Sequence, residues 1–227
     1  MDKTLIIAEA GSNHNGSIKN AFKLIDVAAN AGADVVKFQN YTAKKLFTTK
    51  ANKVNNHDVF ELFKPLEMPD TWVKDLIKYS ESRNIEFMST PFDDEAVDYL
   101  YNLGVKRFKV SGFESTDLRH IKYVASTKLP IIVSAGIGCS LEFIQEIIDT
   151  CNNVGCNDVT ILHCNNAYPT PQEDINLNTI QSIIEKYGNQ VKVGLSDHTL
   201  SALTPSFAVA MGAKCIEKHF TLSKDMQ

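Results

Sequence analysis

The sequence predicts an α/β chain with the architecture of a (β/α)8 barrel, and three observations predict it. Eight short apolar runs rich in Val, Ile and Phe recur along the 227 residues. Segments with helical period fill the intervals, so strand and helix alternate without interruption. No Gly-x-Gly-x-x-Gly follows the first run, which removes the usual signature of a doubly wound dinucleotide fold.

Residues 4–9 form the first strand candidate, and Ser17 then caps a helix ending at Gly32 with Ile18, Ala21, Phe22, Ile25, Ala28 and Ala29 on its apolar face. Residues 34–39 follow as the second strand. Asp70 opens the next helix with Trp72, Val73, Leu76 and Ile77 inward. Strands are expected at 85–89, 106–110, 130–134, 158–163, 191–194 and 213–218. Helices are expected at 95–103 and 118–126, from Ser140 through Cys151, at 177–187, and from Ser201 to near Gly212. Near-continuous apolar strands of this kind read as parallel strands covered on both faces. The interval from Gln39 to Ile85 is anomalous in length, and its polar, aperiodic part at 44–56 is expected to be a long loop over the barrel mouth. The stretch 47–63 carries Phe and His residues without a spacing that specifies chemistry. Only residues 219–227 follow the last strand, whereas a barrel of this kind needs roughly 250 residues. The chain is therefore expected to be one catalytic domain spanning 1–227, cut short before its last helix.

Composition narrows the function. Lys and Arg number 23 against 27 Asp and Glu, a net charge of −4, with a pI near 5.9. That balance, with no basic run, argues against a nucleic-acid binder. The longest apolar runs, 5–8 and 129–133, fall far below the roughly 20 residues that span a bilayer, and Glu9 interrupts any signal-peptide core. The five cysteines at 139, 151, 156, 164 and 215 include no C-x-x-C pair. They read as reduced thiols, mostly small core residues, of a soluble cytoplasmic chain.

In a parallel barrel the C-terminal strand ends share one face, where catalytic groups collect. The polar residues fall at those ends: Glu9; Lys37 and Gln39; Ser89 and Thr90; Lys109, Ser111 and Glu114; Ser134; His163, Asn165 and Asn166; Ser196 to His198; Glu217 to His219. Period-two alternation puts Lys37 with Gln39, Lys109 with Ser111, and Glu217 with His219 on common faces. His198 and His219 end adjacent strands, so their imidazoles could converge on one divalent ion such as Mn²⁺; two isolated, satisfied histidines are the alternative that spacing leaves open. His163, mid-strand and flanked by apolar residues, reads as a satisfied histidine. Lys37 and Lys109 suit an anionic substrate, a Schiff-base role, or an ion pair with Glu9 or Glu114. Glu9 and Glu114 could move protons or anchor hydroxyls.

Several stretches then occur together in order: IIAEAGSNHNG at 6–16, VVKFQ at 35–39, STPF at 89–92, FKVSGFE at 108–114, HCNNAYPTP at 163–171, GLSDHT at 194–199 and IEKHFT at 216–221. In these motifs, over essentially its whole length, the chain resembles the sialic acid synthase family, which includes N-acetylneuraminate synthase and the bacterial legionaminic and pseudaminic acid synthases. The resemblance implies a (β/α)8 barrel that condenses phosphoenolpyruvate with an N-acylated hexosamine, N-acetylmannosamine or a diacetamido-trideoxyhexose, releasing phosphate and forming a nine-carbon 2-keto-3-deoxy acid. It implies a divalent metal, Mn²⁺ or Mg²⁺, held by His198 and His219. Lys37, Lys109, Ser134, Asn166 and Ser196 would hold phosphoenolpyruvate. Gln39, Glu114 and Tyr168 would contact the amino sugar, Thr90 and Ser111 would complete the substrate-binding set, and Glu9 would handle protons. Glu9, Lys37, Lys109 and Tyr168 are the catalytic residues so implied.

The chain departs from the family at two places. It reads Lys109-Val110-Ser111-Gly112-Phe113-Glu114 where sialic-type members often read K-I-G-S-G-E; the Phe113-Glu114 pair is closer to pseudaminic-type members and would favour a 6-deoxy sugar. The family's later loop, last helix and C-terminal antifreeze-like domain are absent from the sequence. In the family's homodimer that domain supplies an arginine to the partner's active site, so this chain is expected to be less active and less stable than a longer one. The rival readings are a phosphosugar-using 3-deoxy-octulosonate or heptulosonate synthase, a Schiff-base aldolase, and an inactive sugar-binding fragment. The scarcity of arginine (Arg83, Arg107 and Arg119 alone) argues against a second phosphate site.

Overall fold

The computed structural model describes residues 3–47, 53–54 and 57–226. All eight expected strands form: β1 Leu5–Gly11, β2 Val35–Asn40, β3 Glu86–Pro91, β4 Phe108–Val110, β5 Ile131–Ala135, β6 Val159–Cys164, β7 Lys192–Asp197 and β8 Cys215–His219. They make one sheet in the order β3-β2-β1-β8-β7-β6-β5-β4. Each strand neighbours its successor in sequence, and the last lies beside the first. That order is the (β/α)8 barrel's rather than a doubly wound sheet's, in which the strand order reverses at a switch point.

Among the described residues the longer helices alternate with the strands: α1 Ile18–Asn30, α2 Asp70–Ser82, α3 Asp94–Asn102, α4 Leu118–Ser126, α5 Leu141–Asn152, α6 Asn178–Tyr187 and α7 Thr204–Ala210. Four of them start at a side-chain cap. Ser17 and Ser140 accept from the Asn20 and Phe143 amides, and Asp93 and Asp117 accept from those of Ala96 and His120. Each such cap contributes about 1 kcal/mol. The expected start at Ser201 falls three residues early, because the Ser201 hydroxyl accepts from the amides of Leu203 and Thr204 before the helix proper begins.

The chain divides into two compact units, one of Met1–Ile7 with Lys106–His219, the other of Ala8–Val105 with Phe220–Gln227. In the first, β5 is buried along its whole length and β6 at every position but His163, since helices cover the outer face of barrel strands and side chains pack on the inner one. Gly194 is the register partner of Cys215 across the β7–β8 pair, and a Cβ there would lie 2.2 Å from the Cys215 carbonyl oxygen. In the second unit, α1 buries Ala21, Leu24, Ile25 and Ala28. Phe22, expected on that same face, packs on Tyr79 of α2 with ring centroids 4.7 Å apart.

The stretch 44–56 differs from the loop expected. Residues 48–52 and 55–56 lie outside the described residues. The described part holds a helical turn, Ala43–Leu46, and a two-rung antiparallel ladder of Lys53–Val54 with His57–Asp58. The reason is local chemistry that periodicity does not see. Glu67 Oε1 accepts from the Ala43 amide at 2.7 Å, and Phe47 packs on Phe63 at 5.0 Å, which in turn meets Tyr41 at 6.1 Å. The described cysteines are all free, and all but Cys139 are buried. Among the described residues no helix is long and apolar enough to cross a membrane.

Candidate active site

In the second unit the polar strand ends gather as expected. Strand register sets Lys37 opposite Met88 and Gln39 opposite Thr90. Lys37 Nζ lies 2.7 Å from Glu9 Oε2 and donates to Thr90 Oγ1 at 3.2 Å. Gln39 Nε2 donates to Glu9 Oε1 at 3.1 Å. Glu9, Lys37 and Thr90 are all buried, and Gln39 is half-buried. The ion pair between Lys37 and Glu9 anticipated as one possibility is present, and the period-two prediction holds, since Lys37 and Gln39 reach the same carboxylate. In the β1–α1 turn, His14 is fully buried with its Nδ1 accepting from the Gly16 amide at 3.1 Å. Burial pushes its pKa down to about 4.

In the first unit, one row of register partners runs Cys164–Ser196–Glu217 across β6, β7 and β8. Ser196 donates to Glu217 Oε1 at 3.0 Å. Lys109 rises from β4 beside this row, donating to Ser134 Oγ at 2.8 Å and to the Val110 carbonyl at 2.9 Å, with Glu217 Oε1 3.7 Å away. Lys109, Ser134, Ser196 and Glu217 are buried. The carboxylate beside Lys109 is therefore Glu217, not Glu114 as one alternative had it. Cys164 lies among them, and burial raises its thiol pKa.

β4 stops at Val110, and the chain turns so that the Ser111 hydroxyl donates to Glu114, while the Phe113 amide donates back to Ser111. Phe113 itself is 60% exposed. Asn166 packs against two glycines: a Cβ at Gly136 would lie 2.3 Å from Asn166 Oδ1, and one at Gly112 2.9 Å from it. The Asn166 amide nitrogen is buried with no hydrogen-bond partner, a donor available to an anion.

His198 and His219 are not isolated. Their ring centroids lie 5.4 Å apart, and Tyr168 packs on His198 at 4.0 Å and meets His219 at 5.8 Å. His198 Nδ1 meets the Asn165 carbonyl at 2.6 Å, which makes Nδ1 the protonated nitrogen and leaves the Nε2 lone pair for a ligand. The two imidazoles fit a divalent ion as a pair of nitrogen donors, with further positions open to water or substrate oxygens. Among the described residues no third His, Cys, Asp or Glu joins them. His163 is the satisfied histidine expected: its Nε2 lies 2.6 Å from the Ile175 carbonyl oxygen, and burial lowers its pKa.

The sequence pattern of the NeuB family matches residues 24–227. The chain belongs to this family of sialic acid synthases. The N,N'-diacetyllegionaminic acid synthase of Campylobacter jejuni is 42% identical over all of this chain and 70% of its own length. The pseudaminic acid synthase of a second strain of that species is 37% identical, covering 99% of this chain and 67% of its own. Among solved structures, the N-acetylneuraminic acid synthetase of Leptospira borgpetersenii, in complex with citrate, superposes with a TM-score of 0.90 at 33% identity, covering 98% of this chain and 74% of that one. This NeuB-family chain thus spans about two thirds to three quarters of these relatives, shares their barrel, and comes from a family of synthases. Sequence reasoning had given no role to Glu217, Cys164 or the Asn165 carbonyl. The period-two pairing of Glu217 with His219 was the signal for the first; the other two needed the register of β6 against β7.

Proposed function

We propose that this NeuB-family chain carries the catalytic residues of a synthase that joins phosphoenolpyruvate to an N-acetylated hexosamine. The products are a nine-carbon 2-keto-3-deoxy acid and phosphate. The observation that carries this reading is the buried row around Lys109: an ammonium, two hydroxyls and an adjoining carboxylate closed to solvent, with the unpartnered Asn166 donor in the same unit. Such a set suits the carboxylate and phosphate of a small dianion. Lys37, Thr90 and Gln39 form a second polar set around Glu9, supporting a role in holding substrate and moving its protons.

In this mechanism the methylene carbon of phosphoenolpyruvate forms a bond to the aldehyde carbon of the open-chain sugar, whose oxygen takes up a proton and becomes a hydroxyl. The chemistry that a divalent ion, Mn²⁺ or Mg²⁺, supplies when bound by His198 and His219 is Lewis-acid polarisation of that aldehyde. Water then adds to the phosphate-bearing carbon, giving up a proton to Glu9, and the tetrahedral species expels phosphate by C–O cleavage. Lys109, Ser134, Ser196 and Asn166 hold the phosphate and carboxylate oxygens as charge moves onto the leaving group. Tyr168, Gln39, Glu114 and Ser111 orient the sugar. The 42% identity to a diacetyllegionaminic acid synthase favours a diacetamido-trideoxyhexose over N-acetylmannosamine, in line with the exposed Phe113 beside Glu114. The assembly this reading expects is a homodimer.

Arg83 pairs with Asp26 and Arg119 with Asp117, while Arg107 lines a cavity with Lys3, Leu5, Asp158 and Lys192. That speaks against a phosphosugar substrate. The test is phosphate release from phosphoenolpyruvate with Mn²⁺ and each sugar in turn, with chelator and with His219→Ala as controls. Metal-dependent release with a diacetamido sugar is expected. Release only with a phosphosugar, or with no sugar at all, would overturn the reading.

A further inference from the structure

His198 and His219 each stand one residue beyond the last rung of the β7–β8 ladder, which pairs Asp197 with Lys218. The β7–β8 ladder itself therefore reaches neither histidine, although the Thr170 amide donates to the His198 carbonyl at 3.0 Å and His219 ends β8. A side-chain brace continues where it ends. Lys218 Nζ lies 2.5 Å from Asp197 Oδ2 and donates to the Thr199 carbonyl at 2.6 Å, while Asp197 Oδ1 accepts from the Thr199 amide at 2.9 Å. The residues on both sides of His198 are thus tied to the residue immediately before His219.

We infer that Lys218 is a positioning residue, holding His198 and His219 at the separation that lets both imidazoles serve one divalent ion. This rests on the metal-binding reading of the two histidines given above. Strand alternation puts Asp197 on the face opposite Ser196 in β7, and Lys218 on the face opposite Glu217 and His219 in β8, so the brace acts from the side away from the Ser196–Glu217 row. The Asp197 carboxylate is fully closed to solvent, whereas Lys218 is about one third exposed. A buried carboxylate demands its cation, and Lys218 meets that demand only in the geometry that also captures the Thr199 carbonyl. On its other side, His198 is tied through Nδ1 to the Asn165 carbonyl. Ligand sets of this kind tolerate displacements of only about 0.5 Å, so loosening one of the two ties is expected to show in affinity before it shows in folding.

The test is Mn²⁺ binding to the purified chain, read from the electron paramagnetic resonance signal of free Mn²⁺, alongside far-ultraviolet circular dichroism. The variants are His219→Ala, Lys218→Met and Lys218→Arg. Expected results are loss of the site in His219→Ala, at least tenfold weaker binding in Lys218→Met with an unchanged dichroism spectrum, and recovery to within about threefold of wild type in Lys218→Arg. Wild-type affinity in Lys218→Met, with binding lost in His219→Ala, would overturn the positioning role and leave the metal reading standing. Undiminished binding in His219→Ala would instead remove the metal reading itself, and the inference with it. Should Lys218→Met fail to fold, Asp197→Asn, which keeps the acceptor for the Thr199 amide, decides by the same outcomes.

Discussion

Lys37 Nζ sits 2.7 Å from Glu9 Oε2, and neither side chain is more than 4% exposed. A pair so placed contributes little beyond what two apolar residues of the same volume would, but removing one partner strands a buried charge, at about 3–5 kcal/mol. Lys37→Met is therefore expected to lower the unfolding free energy by about that amount, while Lys37→Met with Glu9→Gln recovers most of it. Urea denaturation of the single and double variants measures the coupling; simple additivity would contradict it. Phosphate release should be lost in both, because the recovered stability does not restore the ammonium.

The strand ends were legible because burial on both faces makes parallel strands apolar until they reach the site, so Glu9, Lys37, Lys109, Ser134 and Ser196 stand out against their own strands. The ends of adjacent strands suggested His198 and His219 as a pair but left two isolated histidines open, and only the motifs around them favoured the pair. Spacing along the chain carries no register, and it is register that brings their rings to 5.4 Å. The expectation that Ser111 shares the Lys109 face meets a related limit: alternation holds only while the strand lasts, and β4 ends at Val110. The ordered turn at Ala43–Leu46 rests on a hydrogen bond from the Ala43 amide to Glu67, remote in sequence, which no periodicity can announce.

Gly136 is required by what faces it. A methyl group there would lie 2.3 Å from Asn166 Oδ1 and 2.7 Å from the Gly112 carbonyl oxygen. Gly136→Ala must displace Asn166 or the β4–α4 turn, and overpacking of this kind costs about 1–3 kcal/mol. Phosphate release at subsaturating phosphoenolpyruvate is expected to fall at least tenfold, with KM rising more than kcat falls. An unchanged KM would show that Asn166 does not hold this substrate.

His14 gives the chain a defined sensitivity to acid. Its pKa is pushed down by burial to about 4 in the folded state, against about 6.5 when unfolded. Between those values the unfolded chain binds the extra proton, so stability rises with pH and is lost as pH falls from 6.5 toward 4, by at most about 3 kcal/mol. Replacing His14 with Asn, which keeps an acceptor for the Gly16 amide but cannot charge, is expected to flatten this part of the urea-midpoint profile. A wild-type slope in that variant would assign the effect elsewhere.

Cysteine reactivity should follow burial. Cys151 and Cys215 have thiols raised to about 12 by their apolar surroundings, so almost no thiolate is present at neutral pH. Cys139 is half-exposed, with its sulfur 3.3 Å from the Ser115 hydroxyl. In native protein a thiol-specific disulfide reagent is expected to label Cys139 first, and Cys139→Ser should abolish the fast phase. Fast labelling that survives this substitution would contradict the burial assignment.

Carbon–carbon bond formation is tested most directly by following phosphoenolpyruvate labelled with ¹³C at its methylene carbon, in the presence of Mn²⁺ and a diacetamido-trideoxyhexose, by ¹³C nuclear magnetic resonance. The vinyl signal is expected to give way to that of a saturated CH₂ coupled to the sugar chain, in step with phosphate release and only when sugar is present. Conversion of the label to the methyl group of pyruvate, or phosphate release with no new CH₂, would show hydrolysis without condensation and contradict the synthase account.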